Sequence, residues 1–299
     1  MNDKDLTNGL TRVVGRLSDP KSFGRLFHPH KDGSPLPSGK VLEEIVCLSR
    51  SILFPGYYGN SKVNVDTIGY HIGVNVERVY HLLQEQVRAG LCFNGADDTS
   101  DVKHRSRFIA SQLIDKLPDI REILGTDVLA AYNGDPAAVS MGEVIACYPI
   151  IKALVNYRIA HELFLLGVPL IPRMLTEMAH SETGIDIHPQ ASIGRYFTVD
   201  HGTGVVIGAT CVIGDNVKIY QGVTLGAKSF PLDNSGNPIK GIPRHPVIGN
   251  NVVIYANATV LGRIKIGDGC TIGANVWVTE DIEANMTISK SPHGQIMEK

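Results

Sequence analysis

From Ile187 to Val278 an aliphatic residue returns at every sixth position, with two interruptions. Ile187, Ile193 and Val199 form one run, and Ile207, Ile213, Ile219 and Leu225 the next. Ile248, Ile254, Val260, Ile266, Ile272 and Val278 form the last. The position two residues earlier is usually small or aliphatic: Ala191, Val205, Cys211, Val217, Val223, Ala258, Cys270. A helix repeats at about 3.6 residues and a simple strand at about 2, so neither accounts for a period of six. A parallel β-helix does, because each hexad forms one flat face, its aliphatic residue points inward, and stacked coils share one core. Such a solenoid leaves flat sides and edges to be covered, and association around a threefold axis is one way to bury them.

The preceding ~180 residues read as helical by their spacing. In VERVYHLLQEQVRAGL, Val76, Val79, Leu82, Leu83 and Val87 follow the i, i+3, i+4, i+7 pattern, with Gly90 as the expected stop. A second pattern, RFIASQLIDKL, is expected to end near Pro118, and a third spans Gly142 to Gly167 with Pro149 as a break. HPHKDGSPLPSGK, from His28, is rich in turn formers and reads as a loop. Residues 1–40 are thus expected to form a mobile arm on a helical N-terminal domain spanning 1–184. Residues 185–284 are expected to form the solenoid and 285–299 a C-terminal tail.

Composition narrows the partners. A net charge of −2 gives no electrostatic case for nucleic acid or an anionic membrane. The longest apolar run, LFLLGVPLIP, is too short to span a bilayer, and MNDKDLTNGL has no secretory h-region. A cytoplasmic protein is expected. The five cysteines are scattered, form no CxxC pair and read as reduced small hydrophobes rather than a disulfide framework or zinc site.

Insertions in a solenoid leave the stack as loops, where they can collect function. The first is DHGTG, Asp200 to Gly204; the second runs from Leu225 to Ile248 and ends in Arg244-His245-Pro246. His201 stands in the first break, after an acidic residue and among glycines. A histidine of near-neutral pKa is suited to deprotonating an alcohol, and needs a carboxylate to orient it. Asp186, about one coil earlier, is the candidate for that carboxylate.

The ordered motifs DIHPQASIG, DHGTGVVIG, QGVTLGA, RHPVIGNNVVIYANATVLG and IGANVW resemble serine O-acetyltransferase, over roughly residues 130–282. The resemblance implies an α+β protein: an all-helical N-terminal domain followed by a left-handed parallel β-helix. It implies acetyl transfer from acetyl-CoA to L-serine, the first step of cysteine biosynthesis, by direct attack without an acyl-enzyme. It places the general base on His201 and the orienting carboxylate on Asp186. Asp135, Asp200, Arg244 and His245 are implied to bind serine, and Gly226, Ala256 and Ala274 to lie along the CoA groove. Those types suit the task, since an arginine fork fits a carboxylate and acidic groups fit an ammonium. It implies a homotrimer or a dimer of trimers, with no metal.

The chain departs from the family pattern in three places. Ala209 follows VVIG where many members carry Glu; the loop from Leu225 to Arg244 is long; and the final GQIMEK lacks the isoleucine that docks many members into O-acetylserine sulfhydrylase. Three other readings stand beside this one. An acetyltransferase for sugars would share the solenoid and the base. A zinc hydratase would need three suitably spaced histidines, which His188, His201 and His245 are not. A scaffold would have no use for the charged residues at the two breaks.

Overall fold

The computed structural model describes residues 3–28, 36–59, 62–93, 97–290 and 296–298. Eight α-helices precede the strands: α1 (Asp3–Leu17), α2 (Pro20–Phe23), α3 (Gly39–Leu53), α4 (Ile68–Cys92), α5 (Ser100–Gly134), α6 (Met141–Cys147), α7 (Pro149–Leu165) and α8 (Ile171–Thr183). Most of the 28–40 loop lies outside the described residues. Within the expected arm, α1 carries Leu6, Leu10, Val13, Val14 and Leu17 along one stripe, all exposed. The sequence analysis marks no individual helix within this arm.

The core helices form where their apolar stripes meet. Val79, Leu83 and Val87 of α4 are buried with Leu42 and Ile45 of α3 and with Leu113, Leu117 and Leu124 of α5. Two helix ends differ from expectation. Gly90 lies inside α4, packed against Pro169 and Ile171, and the helix continues to Cys92. Pro118 does not end α5, which runs through it to Gly134. An interior proline costs a helix about 3 kcal/mol. Burial of Leu113, Leu117, Ile120, Leu124 and Val128 on both sides of it, at about 1.5–3 kcal/mol each, outweighs that. Pro149 does mark a break, starting α7 directly after Tyr148.

The strands begin at once after α8. They are β1 (Asp186–Ile187), β2 (Ser192–Ile193), β3 (Thr198–Asp200), β4 (Val206–Ile207), β5 (Val212–Ile213), β6 (Lys218–Tyr220), β7 (Thr224–Gly226), β8 (Val247–Ile248), β9 (Val253–Ile254), β10 (Thr259–Leu261), β11 (Lys265–Ile266), β12 (Thr271–Ile272), β13 (Trp277–Val278), β14 (Thr287–Lys290) and β15 (Ile296–Glu298). They build three faces. The first is β1-β4-β7-β10-β13, the second β2-β5-β8-β11, and the third β3-β6-β9-β12-β14 with β15 added antiparallel. Uninterrupted coils advance 18 residues, as in Ile207 over Leu225 and Ile254 over Ile272, which is three hexads per turn. All thirteen periodic aliphatics are buried, as are Cys211 and Cys270. All five thiols are free, and Cys47 and Cys147 are exposed rather than packed as hydrophobes. Strand β14 continues the third face past residue 284, the boundary expected for the solenoid; residues 291–295 and 299 of the tail lie outside the described residues.

Polar groups dock the helices onto the first coils. Arg158 of α7 donates to the carbonyls of Ile193 and Gly194 and pairs with Asp127 of α5 at 3.0 Å. Asp127 also accepts from the Phe197 amide at 3.0 Å, and burial pushes its carboxyl up to about 6 against the pull of Arg158. The Tyr157 hydroxyl donates to the Ala191 carbonyl at 2.6 Å. No helix among the described residues is long and apolar enough to cross a membrane.

Candidate active site

The first break sits at the corner where the third face turns into the first. His201 adopts φ 56° there. Among the described residues the only others at positive φ that are neither Gly nor Asn are Leu170 and Tyr196. Left-handed backbone is uncommon for residues other than glycine, although histidine enters it more readily than most, and such positions gather at functional sites. The turn pushes the imidazole outward, leaving it 78% exposed, with its Nε2 3.7 Å from Asp200 Oδ1. Gly202, at φ 88°, passes so close to Ile185 that a Cβ would collide with it. This glycine therefore serves the packing of the turn.

Asp135 reaches the same corner from the end of α5. Its carboxylate accepts from the Tyr148 hydroxyl and, at 2.8 Å, from the Ala137 amide. Tyr148 and then the Ala137 amide hold the Asp135 carboxyl below the usual range, while Asp135 pushes the Tyr148 hydroxyl up to about 12. Asp135, Tyr148, Asp200 and Lys218 line one small cavity together with Gly134 and Thr198. The bond to Ala137 is an Asx turn that closes the chain after α5, and the next helix is capped separately by Ser140. Tyr148 and Lys218 carry no motif, and the sequence reading missed both. For Tyr148 the usable signal was its place at the break before Pro149.

Asp186 does not join this cluster within the chain. Its ion pair is to Arg173 at 3.3 Å, and among the described residues none links it to His201. The two-residue insertion lengthens the first coil to 20 residues, so the residue stacked over Asp186 is Val206. The orienting contact expected from Asp186 to His201 is thus not among the contacts Asp186 makes in the described residues. Asp186, Glu177 and His180 lie close enough together to suggest a metal site, but Arg173 already pairs with both carboxylates.

The second break opens at a different corner, between the first and second faces. His245 is buried there, and its Nδ1 accepts from the Thr210 amide at 3.0 Å. An amide donor leaves Nδ1 without a proton, so the neutral ring carries its hydrogen on Nε2. Burial first, then the cations Arg244 and Arg263 with His188 nearby, pushes His245 down to about 4. Arg244 lies over the Phe230 ring at 5.7 Å, and its buried Nε finds no partner in the chain among the described residues. The pair presents donors suited to a carboxylate, yet the whole first face separates it from His201.

The three expected CoA-groove residues divide the same way. Ala256 and Ala274 follow β9 and β12 on successive coils at the His201 corner, while Gly226 ends β7 at the Arg244 corner.

These coils and breaks define a class. Residues 245–280 match the family model for bacterial transferase hexapeptide repeats, and 204–230 match that for the hexapeptide repeat of succinyl-transferase. The protein is a hexapeptide-repeat acyltransferase. Over 95% of its length the chain is 48% identical to a plasmid-borne serine acetyltransferase of Synechococcus elongatus, covering 91% of that protein. It superposes on Entamoeba histolytica serine acetyltransferase 1, solved in complex with L-cysteine, with a TM-score of 0.73 at 35% identity, covering 91% of this chain and 93% of that one. Soybean serine acetyltransferase complexed with serine gives a TM-score of 0.56 at 28% identity, over 88% and 100%. The chain belongs to the serine acetyltransferase family.

Proposed function

We propose that the chain moves an acetyl group from acetyl-CoA to the hydroxyl of L-serine, with His201 as general base, giving O-acetyl-L-serine and CoA. The product would open cysteine biosynthesis. The observation that carries this reading is the convergence of Asp135, Asp200 and an outward, strained His201 at one corner. Two carboxylates beside a base suit a substrate holding an ammonium next to a hydroxyl.

On this reading Asp135 and Asp200 take the serine ammonium. Arg244 and the Nε2–H of neutral His245 take its carboxylate. Because those pairs occupy different corners of one solenoid, a second copy must bring its Arg244 corner to the first copy's His201 corner, which favours a closed trimer. The CoA arm then lies between copies, along Ala256 and Ala274 of one and Gly226 of the next. His201 removes the hydroxyl proton as the serine oxygen bonds to the acetyl carbon. The tetrahedral oxyanion collapses, the C–S bond breaks, and the proton passes to the departing thiolate. Cys211 and Cys270 are buried, so neither serves as an acyl-carrying nucleophile.

CoA release from acetyl-CoA, measured with L-serine against a panel of sugars and other amino acids, tests the assignment. Serine-dependent turnover is expected. Turnover with a sugar alone would transfer the same base to another acceptor.

A further inference from the structure

Nothing in the hexad pattern marks Lys218, one outward position on a repeat strand. Its ammonium nevertheless donates to the carbonyl of Gly134 at 2.6 Å and lies 3.4 Å from Asp200 Oδ2. It also sits over the Tyr220 ring, 4.5 Å from the centroid, with the side chain 18% exposed. Gly134 directly precedes Asp135, so one ammonium ties the backbone beside one carboxylate to the other carboxylate. Burial works against the charge, but contacts with Tyr220 and Asp200 hold the Lys218 ammonium above its ordinary value. The charged and titratable groups around it are Asp135 at the end of α5, Tyr148 before α7, Asp200 and His201 at the break, and Tyr220 on β6.

We propose that Lys218 is a positioning residue that fixes the spacing of Asp135 and Asp200 and reduces their combined charge from −2 to −1, matching the pocket to a single ammonium. The proposal rests on the reading above that these carboxylates hold the amino group of serine. Two effects of the lysine oppose each other, which makes its role measurable. By charge alone, removing a cation strengthens the attraction for an incoming ammonium. By geometry, removal frees Asp200 to swing and loosens α5 from β6, which weakens binding.

The experiment is steady-state kinetics of wild type, Lys218→Met and Lys218→Arg, varying L-serine and acetyl-CoA separately, with the melting temperature of each. Lys218→Met is expected to raise the serine KM about tenfold, the size of one lost charge-assisted hydrogen bond. The acetyl-CoA KM and kcat should move far less, and Lys218→Arg should recover most of the loss. A serine KM that falls or stays level overturns the proposal, as does a rise that Lys218→Arg does not repair. If Lys218→Met melts below assay temperature, Lys218→Gln, which keeps a donor for Gly134 without the charge, carries the same expectation at lower amplitude. Wild type lacking serine-dependent turnover would instead overturn the functional reading itself.

Discussion

The two breaks in the solenoid solve opposite problems. The first adds two residues and stays tight, with Gly202 buried and His201 forced into left-handed backbone. It is clamped from outside as well: Asp127 holds Phe197, and Lys218 links Asp200 to Gly134. The second leaves the stack for some twenty residues, of which 228–241 are all exposed, and only its end returns to be buried as His245. The short break thus places a side chain by straining the backbone. The long one lets the backbone wander and places its side chain by packing. On the proposed reading, the reacting group would need the first kind of control and the substrate-holding groups would be served by the second.

The largest effect should come from His201→Ala, with kcat/KM falling about 10²–10⁴-fold, as for loss of a general base. The melting temperature should stay at the wild-type value because the side chain is exposed. A variant that loses activity by unfolding would mean the short break is structural. Asp127→Ala comes next. It leaves Arg158 charged and buried without its partner, and a loss of about 3–5 kcal/mol in denaturant unfolding is expected. A loss under 1 kcal/mol would show that the clamp on the short break carries little.

At the long break, Gly208→Ala should raise the serine KM roughly tenfold, because the added methyl meets the His245 ring and repacking costs about 1–3 kcal/mol. An unchanged serine KM would remove His245 from the binding site. The same break also predicts a pH dependence. An unfolded histidine protonates near 6.5, whereas His245 in the fold resists protonation down to about 4. Its contribution is therefore intact above pH 6.5 and is lost as the pH falls toward 4, since the unfolded state binds the proton first. Melting temperature should drop across that window in wild type and drop less steeply in His245→Gln. Parallel slopes would mean that the histidine titrates alike in both states.

Much of this was legible in the sequence because the solenoid's information is local and repeated. One hexad dictates one buried side chain, so Ile187 through Val278 could be read without knowing what touches them. The breaks were legible for the same reason, as departures from a fixed beat, and they singled out His201, Asp200, Arg244 and His245 as candidates. Helix ends were less so: Pro118 is a strong local stop signal, overridden by burial on both sides of it. Helix α1 carries a helical stripe, but Gly9 and Gly15 within it dilute the signal.

What sequence alone determined is the stack, its two exits and the chemical types waiting there, since periodicity and turn chemistry act over a few residues. Only the tertiary structure decided which of those residues meet. Counting a coil of equal length would stack Asp186 on Gly204, whereas the two inserted residues put Val206 there. The end of α5 brought Asp135 to Asp200, with Tyr148 and Lys218 completing the pocket from elements 13 to 83 positions away from Asp135 along the chain. The first face holds the Arg244 corner apart from the His201 corner within one chain. Contacts of that kind depend on where whole elements dock, and docking follows from buried ion pairs and packed faces that no local pattern records.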